Sequence, residues 1–163
     1  MAVADLAEEL TFRRLRGGER RAILDIFAGM SERSRGLRFH GAKPRLTERD
    51  LEQLESVGCC GREAVVAIER ATGRAIGIAR YVVGAEDVAE VAYAVVDDWQ
   101  GRGVGRCLIV ELGRLADSHG IARLRGVVDA GNRPALGLLD HIGNAVRREY
   151  EGGSLEVTVA IRA

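Results

Sequence analysis

The chain has 163 residues, of which 47 % are hydrophobic and 29 % are charged, and its formal net charge at pH 7 is zero. A chain of this length and composition can build one ordinary core, so we expect residues 1–163 to form a single domain. Zero net charge argues against a nucleic-acid partner. The N-terminal segment lacks the pattern of a signal peptide, and no apolar run approaches the roughly 18 residues of a membrane span. We therefore expect a cytoplasmic protein without a membrane partner.

In the first 96 residues the spacing of apolar residues indicates both strands and helices. Helical spacing predicts a helix over 18–30 and a short helix within 31–45. A third helix is expected after Thr47, because Thr47 and Asp50 match a capping box. Alternating apolar runs predict four strands, at 10–15, 63–70, 75–84 and 87–96.

After residue 96 the apolar spacing becomes helical. It predicts a helix over 104–118, which Gly120 ends, and a second helix that begins at Asn132 and closes at Gly143. The remaining strands are predicted at 122–129, 145–150 and 155–161. An antiparallel meander followed by alternating strands and helices predicts an α/β fold on a mixed sheet.

The cysteines and histidines show no pattern typical of a metal site. Cys59 and Cys60 are adjacent and cannot form an ordinary disulfide without strain. Cys107 falls on the apolar face of a predicted helix, and no C-x-x-C motif occurs. The three histidines are scattered along the chain. We therefore predict reduced thiols and no metal.

Three glycines at alternate positions stand where the long helix should begin. Gly101, Gly103 and Gly105 alternate with other residues in the segment QGRGVG, and Arg102 and Arg106 lie beside them. The start of a helix leaves about four backbone N–H groups unpaired, and its dipole favours an anion. Glycines let a ligand approach the backbone closely, so the segment predicts a phosphate-binding turn. The alternative is a helix-entry loop whose N–H groups bind water.

Two common phosphate motifs do not fit this segment. A P-loop requires Lys followed by Ser or Thr, and no lysine lies here. A dinucleotide-binding turn requires a third small residue, but Arg106 or Leu108 occupies that position.

The segment QGRGVG at 100–105 instead resembles the Q/R-x-x-G-x-G/A signature of the GNAT superfamily of N-acetyltransferases. Asn132, Ala135 and Gly143 resemble the second motif of that superfamily, and the likeness runs from the strand at 10–15 to the strand at 155–161. The segments GIARYV and AEVAYAVVDDWQGRG are similar to the catalytic domain of Pat-type bacterial protein lysine acetyltransferases. We expect residues 1–163 to be that domain standing alone.

The resemblance implies a GNAT-like α/β (α+β) fold, with a mixed, mostly antiparallel sheet of about seven strands flanked by about four helices. It also implies acetyl-CoA as co-substrate, with its pyrophosphate on the glycine-rich turn and its pantetheine arm beside the preceding strand. Asn132 contacts that arm by resemblance, although it is equally suited to cap a helix. The implied acetyl-CoA-binding residues are Val95, Val96, Gln100, Gly101, Arg102, Gly103, Val104, Gly105, Arg106 and Asn132.

Glu90 is the candidate catalytic base. A lysine amine has a pKa near 10.4, so it must lose a proton before it can attack. Strand alternation places Glu90 on one face with Ala92, Ala94 and Val96, where a carboxylate among small apolar residues suits this role. The resemblance implies the same role. The alternative is a solvated carboxylate near the end of a strand.

The sequence departs from the family pattern at two positions. Leu139 stands where many relatives have a tyrosine that protonates the leaving thiolate, so the general acid is unassigned, with Tyr93 and Tyr150 as remote candidates. Asn144 replaces an aromatic residue that usually follows the closing glycine.

Three hypotheses for the acceptor remain open: a protein lysine, a small-molecule amine, or no acceptor in a non-catalytic acyl-CoA-binding module. The arginine-rich segment with Arg33, Arg35, Arg38 and Arg45 either receives an acidic substrate or is a solvated face, and we favour the solvated face. The sequence makes no prediction of the oligomeric state.

Overall fold

The computed structural model describes residues 3–59 and 61–161, so Cys60 lies outside the described residues. One sheet of seven strands runs through the protein in the order β1-β2-β3-β4-β5-β7-β6. Its strands are β1 (Leu10–Arg14), β2 (Arg62–Glu69), β3 (Ala75–Val83), β4 (Val88–Val95), β5 (Arg123–Asp129), β6 (Gly143–Glu151) and β7 (Ser154–Ile161). Only β4 and β5 are parallel, so the expected mixed, mostly antiparallel sheet is confirmed.

The described residues contain six α-helices, where about four were expected. They are α1 (Val3–Glu9), α2 (Arg20–Ala28), α3 (Glu32–Phe39), α4 (Glu48–Glu55), α5 (Val104–Ser118) and α6 (Arg133–Leu136). The capping box of α4 is present, since the Thr47 hydroxyl accepts from the backbone N–H of Asp50 and the Asp50 carboxylate accepts from that of Thr47. No helix in the described part of the chain has the length and apolar character that crossing a membrane demands.

The helix that begins after Asn132 is much shorter than the sequence predicts. It ends at Leu136, with Gly137 at its C-cap, and a separate 3₁₀ turn covers Leu139–His141. Glycine has a low helix propensity, so Gly137 ends the helix before the apolar spacing does.

Helices cover both faces of the sheet. A Cβ added at Gly77 of β3 would lie 2.9 Å from Leu108, so α5 packs directly on β3. On the opposite face, a Cβ added at Gly29, just after α2, would lie 2.8 Å from the Cβ of Val96, just after β4. Because neighbouring strand residues point to opposite faces, the side chains of β4 alternate between the α5 layer and the α2–α3 layer.

Candidate functional site

The parallel strands β4 and β5 separate before either one ends. They pair from Val88 opposite Arg123 to Val91 opposite Gly126, but β4 continues to Val95 and β5 to Asp129. A cavity of about 1010 Å³ opens at this gap, and residues from both faces of the sheet line it. We call it the cleft. Nine of the predicted site residues line the cleft: Glu90, Val95, Gln100, Gly101, Gly103, Val104, Gly105, Arg106 and Asn132.

The backbone direction of β4 distinguishes Val95 from Val96. The Val96 N–H donates to the carbonyl oxygen of Ile76 at 2.9 Å, so its backbone groups face β3. Successive residues of a strand direct their backbone groups to opposite sides, and the Val95 N–H therefore faces the gap toward β5. Val96 does not line the cleft. Of the two valines that were predicted to bind acetyl-CoA, only Val95 directs its N–H into the gap.

Gln100 ties the glycine-rich turn to its surroundings. Its side-chain amide donates to the carbonyl oxygen of Val95 at 3.0 Å and to the Ser34 hydroxyl at 3.2 Å. Gly101 and Gly103 follow with φ angles of 71° and 90°, which L-residues with a side chain rarely adopt. Backbone conformation is therefore what requires glycine at these two positions.

The first turn of α5 forms one wall of the cleft. The first hydrogen bond of the helix runs from the Cys107 N–H to the Gly103 carbonyl at 3.1 Å, so the N–H groups of residues 104–106 precede the helical bonding pattern. Gly103 is the N-cap and offers no side chain to satisfy them. Together with the helix dipole, these donors fit the pyrophosphate of acetyl-CoA.

The two arginines of the turn have different surroundings. Arg106 is exposed and lines the cleft. The Arg102 guanidinium pairs with Glu9 at 2.9 Å and lies 3.9 Å from the centre of the Trp99 ring. The charge of Glu9 and the attraction of the ring for a cation hold the guanidinium there. Arg102 was expected to bind acetyl-CoA, but it does not line the cleft.

Glu90 lines the cleft, but it is not surrounded by small apolar side chains. Its side chain is 64 % exposed, and its carboxylate pairs with Arg125, which stands opposite it on β5. Arg125 also lies 3.9 Å from Glu156. Regular pairing of β4 with β3 keeps Glu90 on the face of Ala92, as alternation predicts. The expectation of an apolar environment is wrong because the parallel register brings in Arg125.

Asn132 and Tyr93 also line the cleft. The Asn132 side chain makes no capping hydrogen bond and lines the cleft, so the capping role is not observed. Leu139 is buried against Gly126 and has no proton to donate. Tyr93 lines the cleft, and burial raises its pKa to about 12, whereas Tyr150 is 75 % exposed and lies outside it.

Three arginines line the end of the cleft on the α3 side. Arg38 comes from α3, Arg62 from β2 and Arg80 from β3. Sequence spacing did not identify Arg62 and Arg80, because only the strand register brings them beside Glu90. Arg38 belongs to the arginine-rich segment for which the sequence favours a solvated face, but it is half-buried in the cleft.

Parallel strands that separate beside a glycine-rich helix start, with an exposed carboxylate on the far face, form the arrangement expected of an acyltransferase with a phosphate-bearing acyl donor. The chain belongs to the GNAT acetyltransferase family, whose profile matches residues 22–143. It is therefore an N-acetyltransferase with acetyl-CoA as its co-substrate.

Three relatives agree with this assignment. The chain is 28 % identical over 148 residues to "Acetyltransferase PA5475" of Pseudomonas aeruginosa, covering 89 % of this chain and 80 % of that protein. It is 35 % identical over 104 residues to "Acetyltransferase Pat" of Mycolicibacterium smegmatis, covering 63 % of this chain but only 31 % of that longer protein. The crystal structure of the GNAT domain of S. lividans PAT superposes with a TM-score of 0.82 at 25 % identity, covering 92 % of this chain and 89 % of that chain.

Proposed function

We propose that this acetyltransferase modifies lysine side chains of proteins by direct attack in a ternary complex, with Glu90 as the base. The observation that supports this most strongly is the position of Glu90. Its carboxylate is exposed at the cleft, on the face of the sheet opposite α5. An acceptor amine entering from the α3 side would reach this carboxylate without crossing the glycine-rich turn. The resemblance to Pat-type enzymes supports a protein acceptor.

In the proposed reaction Glu90 and Val95 have different roles. Acetyl-CoA supplies a thioester as acyl donor. Glu90 takes a proton from the acceptor ammonium, and the Val95 N–H donates to the carbonyl oxygen as negative charge develops there. The amine nitrogen forms a bond to the carbonyl carbon and releases its second proton to solvent. The bond from carbon to sulfur breaks, so coenzyme A leaves with the electron pair on sulfur.

Tyr93 is the candidate that returns a proton to this sulfur. Leu139 cannot do so, and Tyr150 lies outside the cleft. Because burial raises the pKa of Tyr93 to about 12, its hydroxyl keeps its proton at neutral pH. We place the reaction in the cytoplasm, since Cys107 is a free thiol, as in a reducing compartment.

The decisive variant is Glu90→Gln, which keeps the shape of the side chain but removes the base. We expect acetyl transfer to lysine-containing proteins to fall about 100-fold or more, while calorimetry shows unchanged acetyl-CoA affinity. Glu52→Gln is the control, because Glu52 is exposed on α4 and does not line the cleft. Equal rates for the Glu90 variant and the control would refute the assignment of the base. Transfer only to free small amines would refute the protein acceptor.

A further inference from the structure

The α3 end of the cleft is strongly basic and close to Glu90. Arg80 pairs with Ala92 in the β3–β4 ladder, two residues from Glu90 along β4. Side chains two residues apart on a strand share a face, so Arg80 and Glu90 point to the same side of the sheet. Arg38 and Arg62 line the same region from α3 and β2.

Arg80 is buried without full hydrogen bonding. Its exposed fraction is 9 %, and its Nε is buried without a hydrogen-bond partner. One terminal nitrogen donates to the Gln53 carbonyl at 3.3 Å, which does not neutralise the charge. Buried polar groups in folded proteins are almost always paired, and an unpaired buried charge is costly. A buried guanidinium in a cleft, with an unpaired Nε and no anion within residues 3–59 and 61–161 to balance its charge, therefore indicates a ligand.

The three arginines are close enough to repel one another. Burial, and after it the charge of Arg80, lower the pKa of Arg38 to about 10. Burial and the charge of Arg62 lower the pKa of Arg80 in the same way. The Arg38 guanidinium lies 4.8 Å from the centre of the Phe39 ring, a contact that leaves its charge in place.

Anionic partners for these arginines are absent from the described part of the chain. Neither Arg38, Arg62 nor Arg80 forms an ion pair there. Among the described residues that line the cleft, Glu90 is the only acidic one, and Arg125 already pairs with it. The positive charge at this end is thus uncompensated within the cleft.

We propose that Arg38 and Arg80 bind a carboxylate of the acceptor and thereby hold its amine at Glu90. The inference rests on the proposed function and specifies its acceptor. Guanidinium groups bind carboxylates through paired, charge-assisted hydrogen bonds. Such a carboxylate has two sources: an acidic side chain beside the acceptor lysine of a protein, or the carboxylate of a free amino acid.

Two matched pairs of acceptors separate these sources. The first pair is a peptide with one lysine flanked by aspartate and the same peptide with asparagine. The second pair is free L-lysine and L-lysine amide. We expect the carboxylate member of one pair to have a KM at least about tenfold lower, which corresponds to a hydrogen bond with a charged group. The discriminating pair identifies the source.

Arg38→Gln and Arg80→Met test the pocket itself. Both variants should abolish the discrimination, while Arg33→Gln should retain it, because Arg33 is exposed on the same helix as Arg38 and does not line the cleft. Arg80→Met should also melt at an unchanged or higher temperature, since it removes an unpaired buried charge. A lower melting temperature with the discrimination intact would mean that Arg80 is structural, and would overturn the proposal.

The remaining outcomes separate the two proposals. In one outcome the enzyme acetylates the asparagine and aspartate peptides with equal KM and shows no preference between L-lysine and its amide. This result overturns the carboxylate pocket and leaves the proposed lysine acetyltransferase function intact. If no acceptor reacts, calorimetry of the aspartate and asparagine peptides with the coenzyme A complex decides. Preferential binding that Arg80→Met removes supports the pocket while the proposed function fails. Equal binding overturns the pocket as well.

Discussion

The ion pair between Glu90 and Arg125 depends on the register between β4 and β5. The two residues stand opposite each other on β4 and β5, and the Arg125 guanidinium pairs with the Glu90 carboxylate. Glu90 would otherwise rotate freely, because its side chain is largely exposed. We therefore propose that Arg125 is a positioning residue, which holds the proposed base Glu90 in a fixed orientation at the cleft.

Replacing Arg125 with Met should lower kcat severalfold, because the Glu90 carboxylate loses its fixed orientation. The KM for acetyl-CoA should stay unchanged, since the glycine-rich turn is untouched. Steady-state kinetics with both substrates varied separates these effects. Arg125→Lys should recover part of kcat, and Arg123→Met, at an exposed position of the same strand, should match the native enzyme. A change in the KM for acetyl-CoA with normal kcat would contradict the positioning role.

Individual residues could be predicted from the sequence when a local motif specifies them. Gly101 and Gly103 belong to such a motif, and their left-handed φ angles agree with it. Arg125 and Arg80 could not be predicted, because their position beside Glu90 depends on pairing between strands far apart in the chain. Alternation specifies the face of a residue, but it does not specify its neighbour across the sheet.

At the scale of elements, predictability follows the strength of the local signal. The helix predicted over 104–118 coincides with α5, because its apolar spacing covers four turns and Gly120 follows with a φ of 75°. The short helix α1 was not predicted, since seven residues provide too little periodicity. The helix after Asn132 was predicted too long, because buried Leu139 and Ile142 continue the apolar pattern past Gly137.

The beginning of α5 can be tested with two glycines of matched strain. Gly103→Ala places a Cβ at a φ of 90°, which should lower the free energy of unfolding by about 1–2 kcal/mol. It also changes the backbone that presents the first N–H groups, so acetyl-CoA affinity should fall about tenfold or more. Thermal melts and calorimetry measure the two effects.

Gly120→Ala is the matched control for this element. Gly120 also has a positive φ, 75°, and lies just beyond the opposite end of α5. Its variant should lose similar stability and keep the native affinity for acetyl-CoA. If both variants bind normally, the start of α5 does not hold the pyrophosphate. If both lose affinity equally, the loss comes from instability of the helix.

At the scale of the whole molecule, the sheet is held together weakly between β4 and β5, because these strands pair over a short length. The ladder between them has only the four pairs from Val88 to Val91, and β5, β7 and β6 lie beyond it. A ligand inserted in the gap would contact strands on both sides and stabilise the folded state. Acetyl-CoA at 100 times its Kd should add about 2.7 kcal/mol to the free energy of unfolding.

For a domain of this size that gain corresponds to a rise in Tm of roughly 5–10 °C. Thermal denaturation with acetyl-CoA measures it, and NAD provides a control that carries a pyrophosphate but no pantetheine arm. Acetyl-CoA should raise the Tm well above the value with NAD, because only acetyl-CoA has a pantetheine arm to enter the gap beside Val95. Equal shifts would place all binding at the start of α5, and the separation of β4 from β5 would then have no part in holding the co-substrate. With Gly103→Ala the shift should shrink at a fixed acetyl-CoA concentration, since stabilisation by a ligand follows its affinity.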